Sequence, residues 1–380
     1  MASARETILF NARLVLPDTV VDGGRLAVQG TAISAVDDGG PGHVDLEGDL
    51  LLPGLVELHT DNLEKHLMPR PGVFWPSFSA LCAHDAQVAT SGITTVFDAV
   101  ALGERDGREE RLDYLDDAMT VVSAQRAADS LRADHFIHLR CEIPKPDVVD
   151  LFERYVGYQG VKLVSLMDHT PGDRQFADLE RLREYALTHF GETRDAFDER
   201  LRYEKGLQAA HAVPNRSRIA RACAERGIMV ASHDDASERH IEEALELGLS
   251  ISEFPTTEIA AQAARTGGMA TIMGAPNVIR GGSASGNVAA ARLAELDLLD
   301  ALSSDYVPLS LISAPFRIVE SCGWSLPKAV ALVTQNPARM AGLTDRGALV
   351  PGLRADFVRV RLGADGPVVR ETWRSGRRVA

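Results

Sequence analysis

The chain has 380 residues, 45% apolar and 25% charged, with a formal net charge of −14. That balance is globular, with length for more than one ordinary domain, and the charge speaks against a nucleic-acid or anionic-membrane surface; an anionic small substrate would need only a local positive pocket. No apolar run approaches the ~20 residues that span a bilayer, and Cys82, Cys141, Cys223 and Cys322 form no CxxC pair, as in the reduced thiols of a cytoplasmic protein.

In chain order, the first residues lack the apolar stretch of a signal peptide. Short β-like runs follow, broken by Gly and Asp: Ile8–Phe10, Arg25–Val28, Ile33–Val36 and Asp49–Leu52. The end of the chain has the same character, and Asp356–Leu362 largely alternates apolar and charged residues, as a half-exposed strand does. Residues 1–52 and 344–380 are therefore expected to form one small β-sandwich domain from both termini. Residues 53–343 are expected to form a separate barrel.

Eight strands are expected between these ends: Leu55–His59, Thr94–Asp98, His135–Glu142, Lys162–His169, Ile228–His233, Ser250–Phe254, Thr271–Pro276 and Leu302–Asp305. Leu112, Leu115, Met119 and Val122 recur at helical spacing, as do Phe176, Leu179, Leu182, Ala186 and Phe190. Ser325 before Leu326-Pro327 reads as a helix N-cap. Strands alternating with helices mean a parallel sheet, and eight of them predict a closed (β/α)8 TIM-like barrel.

The strand ends carry the chemistry. The run from Leu50 to Leu58 is broken by Pro53-Gly54 and ends in His59-Thr60-Asp61, which would project an imidazole and a carboxylate from one face. Glu142, Asp168-His169, His233-Asp234-Asp235, Glu253 and Asp305 close other strands. In a barrel these ends meet at one mouth. His59, Asp61, Glu142, His169, His233 and Asp305 offer ligands for one or two divalent ions, zinc before manganese, and the lack of a cysteine cluster argues against a structural zinc site. A bound ion would make water acidic enough to attack near neutral pH, and Asp305 would take its proton. Lys65, His66, Arg70, Arg140 and Arg174 lie in or beside mouth segments. Arg280 and Gly281-Gly282-Ser283, with a helix expected near Asn287, could receive phosphate. Lys162 lies too deep to bridge two ions at the mouth. Met167, Met229, Met269 and Met273 read as core, and His135, His138, His211 and His240 as structural or surface residues.

The β-rich ends, the Pro53-Gly54 to His59 segment, the last-strand Asp305 and the tail Thr334-Gln335-Asn336-Pro337-Ala338-Arg339, Gly347 and Pro351–Asp356 resemble the amidohydrolase superfamily. Glu57–His66, Ser165–Gly172, Gly274–Asn277 and Ser303–Pro308 resemble, within it, the metal-dependent diphosphatase of the carbon–phosphorus lyase pathway (the PhnM family). The resemblance implies hydrolysis of a phosphorylated ribose, alpha-D-ribose 1-methylphosphonate 5-triphosphate, to the 5-phosphate and pyrophosphate. It covers almost the whole chain. One position departs from the family: Ala284 stands where a histidine is usual, which bears on rate and substrate.

Two other classes compete. The same scaffold hosts amidases, deacetylases and deaminases, which would act on C–N bonds and need no phosphate groups. A catalytically silent scaffold would have lost metal ligands, and none of the six is lost. A small-molecule substrate is the expected partner, with no nucleic acid or membrane, and a homo-oligomer is compatible with the sequence.

Overall fold

The computed structural model describes residues 6–37, 39–103, 111–176, 179–189, 191–283 and 286–380. Eight parallel strands form one sheet in sequential order: Leu55–Thr60, Ile93–Leu102, Asp134–Glu142, Val161–Met167, Met229–His233, Ile251–Glu253, Ala270–Gly274 and Ala301–Ser303. All eight expected strands are present, with ends shifted by a few residues. Helices run between them. One spans Arg111–Ala127, and another, Leu179–His189, carries part of the second helical pattern. Phe176 falls in a separate short turn, Arg174–Phe176, and Phe190 lies outside the described residues. Ser325 caps Leu326–Ala331 by accepting from the Lys328 N–H, and Pro327 sits in the first turn, where a missing N–H costs nothing.

Every strand contributes to one apolar cluster: Val56 and Leu58 from the first, then Phe97, Phe136, Leu163, Ala231, Ile251, Ile272 and Ala301. Ala338 and Ala341, at and just after the helix Gln335–Met340, pack against this layer. The floor is therefore filled with carbon, and polar side chains can gather only at the C-terminal ends of the strands.

The terminal segments form a second, mixed sheet. Its order is Arg377–Arg378, Gly366–Arg374, Phe357–Gly363, Leu50–Pro53, Glu6–Val15, Val20–Gln29 and Ala32–Asp37, with Val44–Asp45 also paired to Glu6–Val15. Leu50–Pro53 sits at its centre, where the two ends of the chain meet. Alternation divides its side chains: Leu51 joins the small core with Leu9, Leu26 and Phe357, while Leu50 and Leu52 join the barrel-side core. The first barrel strand starts two residues later, so this sheet fixes where His59 enters the barrel.

The outer face of the second strand holds a buried ion network. Asp98 accepts from His84 Nε2 at 2.7 Å and from His135 Nδ1 at 2.8 Å, and His135 Nε2 lies 3.3 Å from Asp85. Burial disfavours the His135 cation, yet its two carboxylate neighbours lift it to about 9. A raised histidine stabilises the fold fully below its ordinary value of 6.5, and the contribution is lost as pH rises through about 9. We expect chemical-denaturation stability to fall across that window, and to fall less in His135→Gln. Removing the imidazole leaves two buried carboxylates and should cost about 3–5 kcal/mol at neutral pH. An identical pH slope in the variant would disprove the assignment.

Candidate metal centre

The mouth is built around a distortion in the first strand. Its pairing with the second strand shifts between Glu57 and Thr60. Such bulges re-aim side chains. Here the Leu58 carbonyl accepts from His138 Nδ1 at 3.0 Å, and His59 turns inward beside Phe254 and His138. The first and last strands share few ladder bonds, and a buried carboxylate joins them. Glu57 accepts from the His59 N–H at 2.7 Å and the Ser304 N–H at 2.6 Å. Its complete burial lifts its pKa to about 7.

Asp305 is held by its backbone. Its N–H donates to the His59 carbonyl at 3.0 Å, and its carbonyl accepts from the Asp61 N–H at 2.9 Å and the Thr60 hydroxyl at 2.9 Å. It adopts a left-handed φ of 55°, uncommon for a residue with a side chain. Burial raises its pKa, and the charge of Asp61 adds to the effect. His59 Nε2 lies 3.8 Å from Asp61, and donor atoms of His59, Asp61 and Asp305 fall within 4.8 Å of one another.

A second group stands beside the first. His169, His233 and Asp234 also bring one donor each within 4.8 Å. Asp234 Oδ2 is 3.6 Å from His169 Nε2 and 3.5 Å from His233 Nε2. That oxygen is buried and has no hydrogen-bond partner. A buried carboxylate oxygen facing two imidazole nitrogens is costly unless a cation sits among them. Asp234 also has φ of 55°, and its N–H donates to the Glu253 carbonyl at 2.9 Å.

Two buried glutamates orient the histidines. Glu253 takes His59 Nδ1 at 2.8 Å on one oxygen and His233 Nδ1 at 2.7 Å on the other. Glu142 takes His169 Nδ1 at 2.6 Å and the His169 N–H at 2.9 Å. An imidazole that donates Nδ1–H to a carboxylate presents the Nε2 lone pair elsewhere, the usual arrangement behind a metal. All three Nε2 atoms then face the mouth. Burial works against the Glu253 carboxylate, but His59, His138 and His233 hold it well below the usual range. Burial, with the charges of His59 and Arg140, drives His138 down to about 3 despite nearby Glu253, so it stays neutral.

The expected ligands thus fall into three situations. His59, Asp61 and Asp305 come together; His169 and His233 come together one group away; Glu142 spends both oxygens on His169. Asp234 and Glu253 closed their strands in the sequence but carried no role in its reading. Lys162 is exposed, on the outer face of its strand. Donors also cluster at His84, Asp98 and His135, where each is already held by the hydrogen bonds described above.

The expected phosphate groups are less uniform. Arg140 Nη1 is 2.6 Å from Asp61. Arg174 is buried, with Nη1 2.6 Å from Asp235 and 3.1 Å from the His233 carbonyl, so it braces the end of the fifth strand. Lys65 donates to the Tyr306 carbonyl beside Asp305, and His66 Nε2 lies 2.9 Å from Gln87. Arg70 is exposed. Arg280 is exposed at the end of the helix Ala275–Arg280. The N–H groups of Gly281 and Gly282 donate to Val278 at 3.2 Å and Asn277 at 2.9 Å, closing that helix rather than facing a ligand. Ser283 follows them. Asn287 is half-buried, and the next helix, Ala290–Glu295, starts three residues beyond it with only six residues. Ala284 lies outside the described residues.

A parallel barrel with histidines and carboxylates at its C-terminal mouth defines a metal-site hydrolase scaffold. The model of the amidohydrolase family matches residues 195–380, and the chain belongs to the amidohydrolase family. It is 47% identical over 378 residues to alpha-D-ribose 1-methylphosphonate 5-triphosphate diphosphatase of Escherichia coli (strain K12), covering 98% of this chain and 100% of that one. A shorter match, 42% over 71 residues, is to imidazolonepropionase of Deinococcus deserti, covering 16% of this chain and 17% of that protein. The fold is shared with N-acetyl-D-glucosamine-6-phosphate deacetylase of Mycobacterium smegmatis, at TM-score 0.64 and 17% identity over 98% of this chain and 100% of that one. It is also shared with a Xaa-Pro dipeptidase, at TM-score 0.66 and 12% identity over 98% and 99%.

Proposed function

We propose that this chain hydrolyses alpha-D-ribose 1-methylphosphonate 5-triphosphate to the 5-phosphate and pyrophosphate, as a cytoplasmic, metal-dependent enzyme of phosphonate catabolism. The observation that carries the reading is the pair of three-residue donor groups at the barrel mouth, in a chain that matches the diphosphatase from end to end. The donor set fits divalent metal: three oriented imidazoles, three carboxylates, no thiolate, and the orphaned Asp234 oxygen. Histidine and carboxylate donors favour zinc, then manganese. His59, Asp61 and Asp305 would hold one ion, and His169, His233 and Asp234 a second. Glu142 then acts through His169 instead of binding an ion. When bound, divalent ions act as Lewis acids and make water a usable nucleophile near neutral pH.

The chain's own groups do the rest. Asp305, held by strands one and eight, accepts the proton of the attacking water. Water attacks the α-phosphorus, the bond to the bridging oxygen breaks, and pyrophosphate leaves in one piece. Arg140 balances the charge of Asp61, and Lys65 reaches the rim beside Asp305. The test is product analysis with metal removed and restored. Zinc- or manganese-loaded protein should release one pyrophosphate per triphosphate, and chelation should abolish the reaction. Full activity in protein shown metal-free by elemental analysis, or cleavage of C–N substrates only, would overturn the reading.

A further inference from the structure

The group of His169, His233 and Asp234 is assembled from two loops, and a side chain on the helix before the fifth strand ties them. The loop after the fourth strand runs from Asp168 to Arg174. His169 stands at its start, and Arg174 at its end donates to the His233 carbonyl at 3.1 Å. How this loop is held therefore bears on how His169 and His233 face each other.

One amide holds both ends. Gln208 Nε2 donates to Asp168 Oδ2 at 2.8 Å and to Asp173 Oδ2 at 3.0 Å. An amide nitrogen carries two hydrogens, one for each carboxylate. The other two oxygens are used locally: Asp168 Oδ1 accepts from the Thr170 N–H at 3.1 Å, and Asp173 Oδ1 from the Arg174 N–H at 2.9 Å. Asp173 Oδ1 also faces His240 Nε2 at 3.2 Å, while His240 Nδ1 accepts from the Ala236 N–H at 3.1 Å. That link reaches the loop after the fifth strand, two residues from Asp234. Gln208 is itself aimed by a break in helix geometry. The helices Arg194–Leu207 and Val213–Arg226 follow one another, but the turn between them, Gln208–Ala212, is a wide π-type turn. Pro214 accounts for it, having no N–H to return to the Ala210 carbonyl. Such turns rotate the side chains on one side relative to the other and are frequent at functional sites.

We propose that Gln208 is a positioning residue for the second donor group, setting His169 against His233 and Asp234 by clasping the loop between Asp168 and Asp173. The inference rests on the metal reading above and adds to it a residue that is no ligand. Both acceptors are carboxylates, which strengthens the two hydrogen bonds.

The test uses the full chain stripped of metal, with zinc alone as the probe. Gln208→Ala should weaken zinc binding at the second group by about 10-fold, the lower end of what a lost outer partner costs. Gln208→Met keeps the bulk but has no hydrogen to donate, so it should match Gln208→Ala. Two backgrounds assign the group. With His59→Ala, where the second group alone holds zinc tightly, the loss should persist; with His169→Ala it should vanish. Unchanged zinc affinity in Gln208→Ala would overturn the proposal. So would wild-type affinity in Gln208→Met, which would make the role one of packing, or an equal loss in the His169→Ala background, which would make it one of general stability. If wild type binds zinc and Gln208→Ala binds it equally, only the Gln208 assignment fails. If wild type binds none, the metal reading fails, and this assignment with it.

Discussion

Asp305→Asn is expected to lower kcat by ~10²–10⁴, the usual worth of a positioned acid–base group, while most bound metal remains. The backbone of Asp305 is fixed by three hydrogen bonds to His59, Thr60 and Asp61, none of which uses its carboxylate. An amide side chain can therefore occupy the same place. His59 and Asp61 stay as donors, and the group of His169, His233 and Asp234 is untouched. What the amide cannot do is take a proton from water. Elemental analysis beside steady-state kinetics separates the two roles. Metal loss in proportion to rate loss would make Asp305 chiefly a ligand.

Glu253→Gln should weaken metal binding by about 10- to 100-fold at the group whose histidine loses its acceptor, as loss of an orienting partner does. One carboxylate holds Nδ1 of both His59 and His233, at 2.8 Å and 2.7 Å. Glutamine offers one oxygen and one NH₂, so it can accept from only one imidazole and must meet the other donor to donor. That histidine turns or changes tautomer, and its Nε2 no longer faces the mouth. The side chain is fully buried, so stability should fall as well, by about 3–5 kcal/mol for a broken buried pair. Titration of metal-free protein with zinc, monitored by competition with a chelating dye, measures the affinity. Two unchanged affinities would show that Glu253 is not the common support.

The alternation of strands and helices was plain in the sequence, because each buried strand is a short apolar run ending in polar residues. His59, Asp61, His169, His233 and Asp305 were legible for the same reason. Asp234 was not. A left-handed φ of 55° breaks the alternation there, so spacing along the strand gives its side chain no direction. Glu253 was visible as a strand end, but its link to strands one and five is a property of the closed barrel. His138 lacks ligand spacing to the other histidines in the sequence, although His138, Arg140 and Glu142 alternate on one inward face. Arg140 and Arg174 were legible as cations but not as partners of Asp61 and Asp235. The helix stop at Arg280-Gly281-Gly282 was readable, since glycine after a helix is its usual C-terminal cap, and that cap takes the N–H groups expected to meet phosphate.

The central claim is water attack at the α-phosphorus of a triphosphate held at this mouth. Hydrolysis in ¹⁸O-labelled water, with mass analysis of both products, tests it directly. Label is expected in the ribose 1-methylphosphonate 5-phosphate product, and the pyrophosphate should be unlabelled. Label in pyrophosphate, or stepwise release of single phosphates, would contradict it.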